Sequence, residues 1–323
     1  MTARTTRPGG VLVIGSITAD VTTFSQRLPL PGETILGDDL TLVLGGKGAN
    51  QAVAAALAGA DTQMVGCVGT DAFTELTRGG LEAYGVDVSA VRVVDGPTGV
   101  AHIRVDASGE NDIVMVPLAN AHLGADQVDA GVASAADRAS VLLTQLETPI
   151  DVMVRATRAA RAAGMIAMLD PAPAAPLDDA IWAELDVVTP NETEATTITG
   201  IAVTDVESAQ QAGQWFVDRG VAHAVITLAS KGVVVVDAAG PRHFTAPRVD
   251  AIDTTAAGDA FAGYLGAGLA SGLSLDDALP RAMAAGALAV TRRGASPSLP
   301  SGADVDAFVT ANHPTADSQE LTH

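Results

Sequence analysis

Asp259 closes the run DTTAAGD, and an apolar helical pattern starts directly behind it at Phe261, Tyr264, Leu265 and Leu269. A helix start offers several unpaired N–H groups and the positive end of the helix dipole. Ala256, Ala257 and Gly258 carry almost no side chain, so a ligand can approach that backbone closely. Together these features make an anion hole suited to a phosphoryl group. A carboxylate in the same turn is placed to take a proton from an attacking hydroxyl. Taken alone, Asp259 reads more readily as an acid that caps or complements its own helix. A second glycine-rich helix entry, GGKGANQA from Gly45 to Ala52, stands far upstream. A tight turn accounts for its glycines but not for Lys47 and Asn50 among them.

Other chemistries lack their signatures. The first strand is followed by VIGSITAD, which has one glycine where a dinucleotide-binding turn needs three. LGGKGAN follows its lysine with Gly48 and has Thr41 where a P-loop needs its first glycine. The six histidines are scattered, with no H-x-x-x-H pair, and no G-x-S-x-G elbow occurs. A formal net charge of -20 repels phosphate backbones, so nucleic acid is not an expected partner, and any phosphate site must be local.

The elements that must position these residues follow from the apolar pattern. VLVIG, TQMVGCVG, SVLLTQLE, MIAMLDPAP, DVVTP, AHAVITLAS and GVVVVDAAG read as strands. Helices are expected at KGANQAVAAALAGA, AFTELTRGGLEAYG, IDVMVRATRAARAAG, AIWAEL, NETEATTITG, VESAQQAGQWFVDRG, AGDAFAGYLGAGLASG and SLDDALPRAMAAGALAV. This alternation predicts an α/β fold, a mostly parallel central sheet with helices on both faces. Two polar blocks do not fit that sandwich: residues 19–44, and 97–117, which reads as a hairpin turning at DASGEN. They are expected to form a small separate β-sheet, a lid. The expected organisation is one domain over 1–310 with a frayed polar tail at 311–323. With 48% hydrophobic residues, the chain suits a large buried core. One cysteine, no apolar leader and no run of about 20 apolar residues point to a cytoplasmic protein without a membrane span.

The chain resembles the PfkB family of carbohydrate kinases, in its ribokinase branch. PGET, GGKGANQAVAAA, LLTQLETP, TPNETEA, VITLASKG, DTTAAGDAFAG and AVTRRGASPSLP occur in the family's order, spanning roughly residues 10 to 310. The resemblance implies that Asp259 is the catalytic base and Ala256 to Gly258 the anion hole. It puts sugar contacts at Thr18, Ala19, Asp20, Gly46, Lys47, Gly48, Ala49, Asn50 and Glu147. Asn191 and Glu194 match an N-x-x-E element acting on the nucleotide phosphates and Mg²⁺. Thr227, Leu228, Ala229, Ser230, Lys231 and Gly232 fall on the nucleotide loop, with Met283 near the adenine. Asp253, Thr255, Ala289, Arg292, Gly294 and Ser298 fall on a monovalent-cation site, for K⁺.

The implied activity is ATP-dependent phosphorylation of the 5-hydroxyl of D-ribose by a homodimer joined through its lids. The chain departs from the family at Thr18, where Asn is usual, and at His102, where an apolar residue is usual. Both bear on which sugar is used. A kinase for 2-deoxyribose, another sugar or a nucleoside is the alternative within that reaction. A catalytically silent sugar- or nucleotide-binding regulator is the alternative outside it.

Overall fold

The computed structural model describes residues 9–108 and 110–312. Its centre is a nine-stranded sheet in the order β13-β12-β11-β10-β9-β8-β1-β4-β5. The parallel strands are β1 (Gly10–Ile14), β4 (Thr62–Val68), β5 (Asp87–Val93), β8 (Ala139–Thr144), β9 (Ile166–Leu169), β10 (Val187–Val188) and β11 (His223–Thr227). The continuous apolar runs β1 and β4 are buried along their whole length, as strands covered by helices on both faces must be. At one edge β12 (Val233–Asp237) and β13 (Gly240–Phe244) run antiparallel. A short turn after Asp237 leaves no room for the crossover helix that a parallel neighbour requires.

Helices α1 (Lys47–Leu57), α7 (Ala257–Ala270) and α8 (Leu275–Ala289) pack in one core layer, with α9 (Gly302–Asn312) against its rim. The opposite face carries α3 (Ala125–Ala135), α4 (Ile150–Ala162), α5 (Glu192–Thr199) and α6 (Val206–Val217). The helix expected at AFTELTRGGLEAYG forms differently. It passes through a π-helical turn, Glu75–Gly79, before a single α turn, α2 (Gly80–Ala83). AIWAEL is a 3₁₀ segment, Asp179–Glu184.

The additional small sheet has four strands in the order β3-β2-β6-β7: β2 (Thr18–Phe24), β3 (Asp39–Gly45), β6 (Gly99–Val105) and β7 (Asn111–Val116). The pairs β2/β3 and β6/β7 are antiparallel and β2/β6 is parallel, so both polar blocks meet in one sheet. The turn expected at DASGEN includes Gly109, outside the described residues. Ala311 and Asn312, placed in the tail by the sequence, belong to α9, and the remainder of that tail lies outside the described residues. Among the described residues no helix is long and apolar enough to cross a membrane.

Candidate active site

Five parallel strands end at the same edge of the sheet, and each hands at least one polar residue to a common crevice. Ser16 follows β1, Gln145 and Glu147 follow β8, Asp170 follows β9, Asn191 follows β10, and Thr227 ends β11. The chain runs from β1 to β4 and β5 on one side, and β8 takes the other side. Such a switch point leaves an opening beyond the strand ends where no connection crosses.

The entry to α1 lies over this opening. Gly46 caps the helix at φ +89, a conformation that strains any residue with a Cβ. At Gly45 a Cβ would fall 2.0 Å from the Asp20 carboxyl carbon, so glycine lets β3 close against that acid. Glu147 Oε2 accepts from Ser16 Oγ at 2.6 Å and from the Lys47 backbone N–H at 2.9 Å, tying β1, β8 and α1 together. Gly48 N–H donates to Ser16 Oγ and Ala49 N–H to the Ser16 carbonyl. Their contribution is backbone alone.

Thr18 and Asp20 share one face of β2, and Thr18 Oγ1 donates to Asp20 Oδ1 at 2.7 Å. Ala19 points to the other face into a buried position. Burial pushes the Asp20 carboxyl up to about 7; the Thr18 hydrogen bond works against this, and the Glu147 and Asp259 charges add to it. Asp170 is likewise raised to about 7, by burial first. The charge of Lys47, whose Nζ lies 3.7 Å from Asp170 Oδ2, opposes that rise. Burial also disfavours the Lys47 ammonium, yet Asp170, Asp259, Glu147 and Glu194 together hold its pKa above the ordinary lysine value. One lysine thus faces four acids.

Asp259 is buried in the first turn of α7. Asn50 Nδ2 donates to its Oδ2 at 3.0 Å, and Gln51 Nε2 to its Oδ1 at 3.1 Å. The two glycine-rich helix entries, more than 200 residues apart, therefore meet at one carboxylate. Ala256, the N-cap of α7, adopts φ +60, ψ 9. A Cβ placed at Gly258 would meet nothing within 4 Å, so the backbone there borders open space.

Asn191 and Glu194 close a capping box. Glu194 N–H donates to Asn191 Oδ1 at 2.9 Å, and Asn191 N–H to Glu194 Oε2 at 2.8 Å. Burial raises the Glu194 carboxyl above its usual range, with the Asn191 N–H and Lys47 opposing and Asp259 assisting. Thr227 N–H donates to the Pro190 carbonyl, and Leu228 to Gly232 form a tight turn with Ala229 at φ +46. Leu228 is fully buried, so its side chain is core. Ser230 is exposed, and Lys231 Nζ donates to the Thr204 carbonyl at 2.7 Å. Met283 is half-buried against the core layer.

Near the α7 entry, Asp253 Oδ1 accepts from Thr255 N–H and Oγ1, while its Oδ2 accepts from Gly294 N–H at 2.9 Å. The Ala289 carbonyl accepts from Arg292 N–H, and the Arg292 side chain turns away to Asp304 at 3.2 Å. Ser298 Oγ donates to the Ala295 carbonyl. Asp253, Thr255 and Gly294 are therefore in direct contact, whereas Ala289 and Ser298 bond within their own turns and the Arg292 side chain pairs with Asp304.

Gln51, Gln145, Asp170 and Ser16 escaped the sequence reading. An acid just past an apolar strand, as in MIAMLDPAP, was the available signal for Asp170.

The model of the PfkB family carbohydrate kinases matches residues 9–302. The chain belongs to the PfkB family of carbohydrate kinases. It is 40% identical over 289 residues to a ribokinase of Haemophilus influenzae, covering 89% of this chain and 94% of that protein. The crystal structure of a Thermotoga maritima ribokinase superposes with a TM-score of 0.86 at 33% identity, over 94% of this chain and 99% of that one. A ribokinase of Arabidopsis thaliana complexed with ribose and ATP gives a TM-score of 0.83 at 30% identity, over 94% and 99%. The PfkB chain's central sheet, flanking helices and additional small sheet match the ribokinase-like fold of these neighbours.

Proposed function

We propose that this PfkB kinase transfers the γ-phosphoryl group of ATP to the 5-hydroxyl of D-ribose, with Asp259 as general base. The hydrogen bond from Asn50 to Asp259 carries the reading, because it joins the sugar-contact motif to the acid of the anion-hole helix. Asp20, Asn50, Glu147 and Lys47 hold the sugar's hydroxyls, with Gly46 shaping the entry. Thr18 and the backbone of Gly48 and Ala49 complete the pocket wall, while Ala19, whose side chain faces away, lends backbone alone.

Asp259 takes the hydroxyl proton as the sugar O5 bonds to the γ-phosphorus and the bond to the β-phosphate oxygen breaks, releasing ADP. The N–H groups at Ala256, Ala257 and Gly258 face the transferring group, and the open space beside Gly258 fits it. Asn191 and Glu194 fit a Mg²⁺–nucleotide through water, since Glu194 is a part-buried acid at the crevice. When bound, Mg²⁺ neutralises charge on the phosphates. The turn from Thr227 to Gly232, with Met283, borders the nucleotide. Asp253, Thr255 and Gly294, with the carbonyls of Ala289 and Arg292 and with Ser298, would hold K⁺ beside the α7 entry, where it would order the loop before the anion hole.

The small sheet acts as the lid. On the face opposite Asp20 it exposes Leu40, Leu42, Val114 and Val116. That unpartnered apolar face supports pairing with a second lid in a homodimer. The cytoplasm suits a chain with one buried, free cysteine.

A second reading, turnover of 2-deoxyribose, is favoured by Thr18, whose only hydroxyl proton is already engaged by Asp20. ADP release measured with ribose, 2-deoxyribose, hexoses and nucleosides tests both readings. Asp259→Asn should lower kcat by about 10²-fold or more with small changes in binding. Near wild-type turnover by that variant removes Asp259 from the mechanism, and sugar binding without any ADP release leaves a silent binder.

A further inference from the structure

Gln51 follows Asn50 on α1 and is fully buried. Its Nε2 group gives one hydrogen to Asp259 Oδ1 at 3.1 Å and the other to Asp170 Oδ2 at 2.8 Å. Its Oε1 accepts from Gln145 Nε2 at 2.5 Å. The chemistry fixes the orientation of this amide. Turned over, it would aim an oxygen at two carboxylates and an NH₂ at an NH₂. Asn50 Nδ2 donates to the other oxygen of Asp259, so each oxygen of that carboxylate has one amide donor.

Consecutive helical residues point about 100° apart. Two of them can grip one carboxylate only if it lies close to the helix and between them. The crossing of α1 and α7 provides this. Gly263 lies one turn after Asp259, and a Cβ there would fall 2.5 Å from Ala54 Cβ and 2.7 Å from the Gln51 carbonyl oxygen. Glycine lets the two helix backbones approach until both amides reach the acid.

We propose that Gln51 is a positioning residue for Asp259, its amide set by Gln145 and Asp170; this rests on Asp259 being the general base. Packing alone does not require a carboxamide here. The neighbouring buried residues Ala49, Ala52 and Val53 are apolar, and an unbranched apolar side chain would fill the same space. The amide's donors do what an apolar group cannot. They hold the carboxylate plane so that an oxygen faces the sugar hydroxyl. The other charged groups acting on Asp259 or its partners are Lys47 on α1, Asp170 after β9, Glu194 on α5 and Asp20 on β2.

The test compares Gln51→Met and Gln51→Glu with Asp259→Asn in the full chain. Gln51→Met should lower kcat about 10- to 100-fold while KM for ribose and for ATP stay within about twofold. Gln51→Glu keeps the shape and the acceptor toward Gln145 but faces both carboxylates with an oxygen, so its kcat should fall at least as far. Wild-type kcat in Gln51→Met overturns the inference. So does a lower kcat that comes with KM values raised by more than about twofold and with reduced thermal stability, since that is a structural role. If Asp259→Asn is inactive and Gln51→Met normal, this inference alone fails. If Asp259→Asn turns over normally, the base assignment fails and takes this inference with it.

Discussion

Asp20→Asn should make this kinase more stable and less able to bind its sugar, with a stability gain that grows with pH. Burial is the main reason that the Asp20 carboxyl is pushed up from 3.8 to about 7. In the unfolded chain the same group ionises near its ordinary value. Near pH 2 both states hold the proton, and the group costs the fold little. As the pH rises through 3.8 the unfolded state ionises first, so the native state loses relative stability until it too ionises near pH 7. A shift of about 3 units corresponds to about 4 kcal/mol, fully expressed at pH 8. An asparagine carries no charge, and its side-chain oxygen still accepts the Thr18 hydroxyl. The variant should therefore gain only about 0.5 kcal/mol at pH 4, about 1.5 kcal/mol at pH 5, and about 2–4 kcal/mol at pH 8. Urea unfolding of both proteins from pH 4 to 8 measures this directly. The cost appears in KM for the sugar. Loss of an ionised acceptor is worth about 1.5–3 kcal/mol, or roughly 10- to 150-fold. A stability difference that does not change with pH would refute the argument, because only a buried titrating group produces that slope.

Three further outcomes follow from the same geometry. Gly263→Ala should lower thermal stability by an overpacking cost of about 1–3 kcal/mol and also lower kcat, because the α1–α7 crossing must open; a stability loss with unchanged kcat would separate the crossing from catalysis. Ala256→Gly should raise stability by about 0.5–1 kcal/mol in thermal melts, since glycine adopts φ +60 without strain, and should keep kcat within a few fold because the N–H donors remain; a destabilised variant contradicts this. Replacing a large organic cation with K⁺ at constant ionic strength should raise activity severalfold through the Asp253–Gly294 loop, and a flat titration of ion-stripped enzyme would count against that site.

The central strands were legible because a strand covered on both faces must be apolar without interruption, as Val11 to Ile14 and Val233 to Val236 are. Elements with a weaker apolar signal were not. β5 is an edge strand in which only Val88 and Val91 are buried, so DVSAVRV looks like a loop. α3 rests on Val128 and Val132, with Gly131 admitting Val65 from β4, so small residues hide its buried face. β13 and α9 carry too few buried residues to announce themselves.

The site shows the same division for a different reason. The anion hole and Asp259 could be argued from local chemistry, because a helix start and its acid lie in one stretch of sequence. Gln51 could not, since its meaning depends on Asp170 and Asp259, which lie 119 and 208 residues away. The Asn191–Glu194 pair shows how a local reading can be right and incomplete. Its spacing is that of a capping box, and the box is formed. The burial that raises Glu194, and the Lys47 and Asp259 charges acting on it, arise only once β10 takes its place between β9 and β11 in the folded sheet. A capping acid satisfied by its own helix has no need of a distant lysine. This one shares Lys47 with Asp170, Asp259 and Glu147, so the helix cap is also part of the crevice's charge balance.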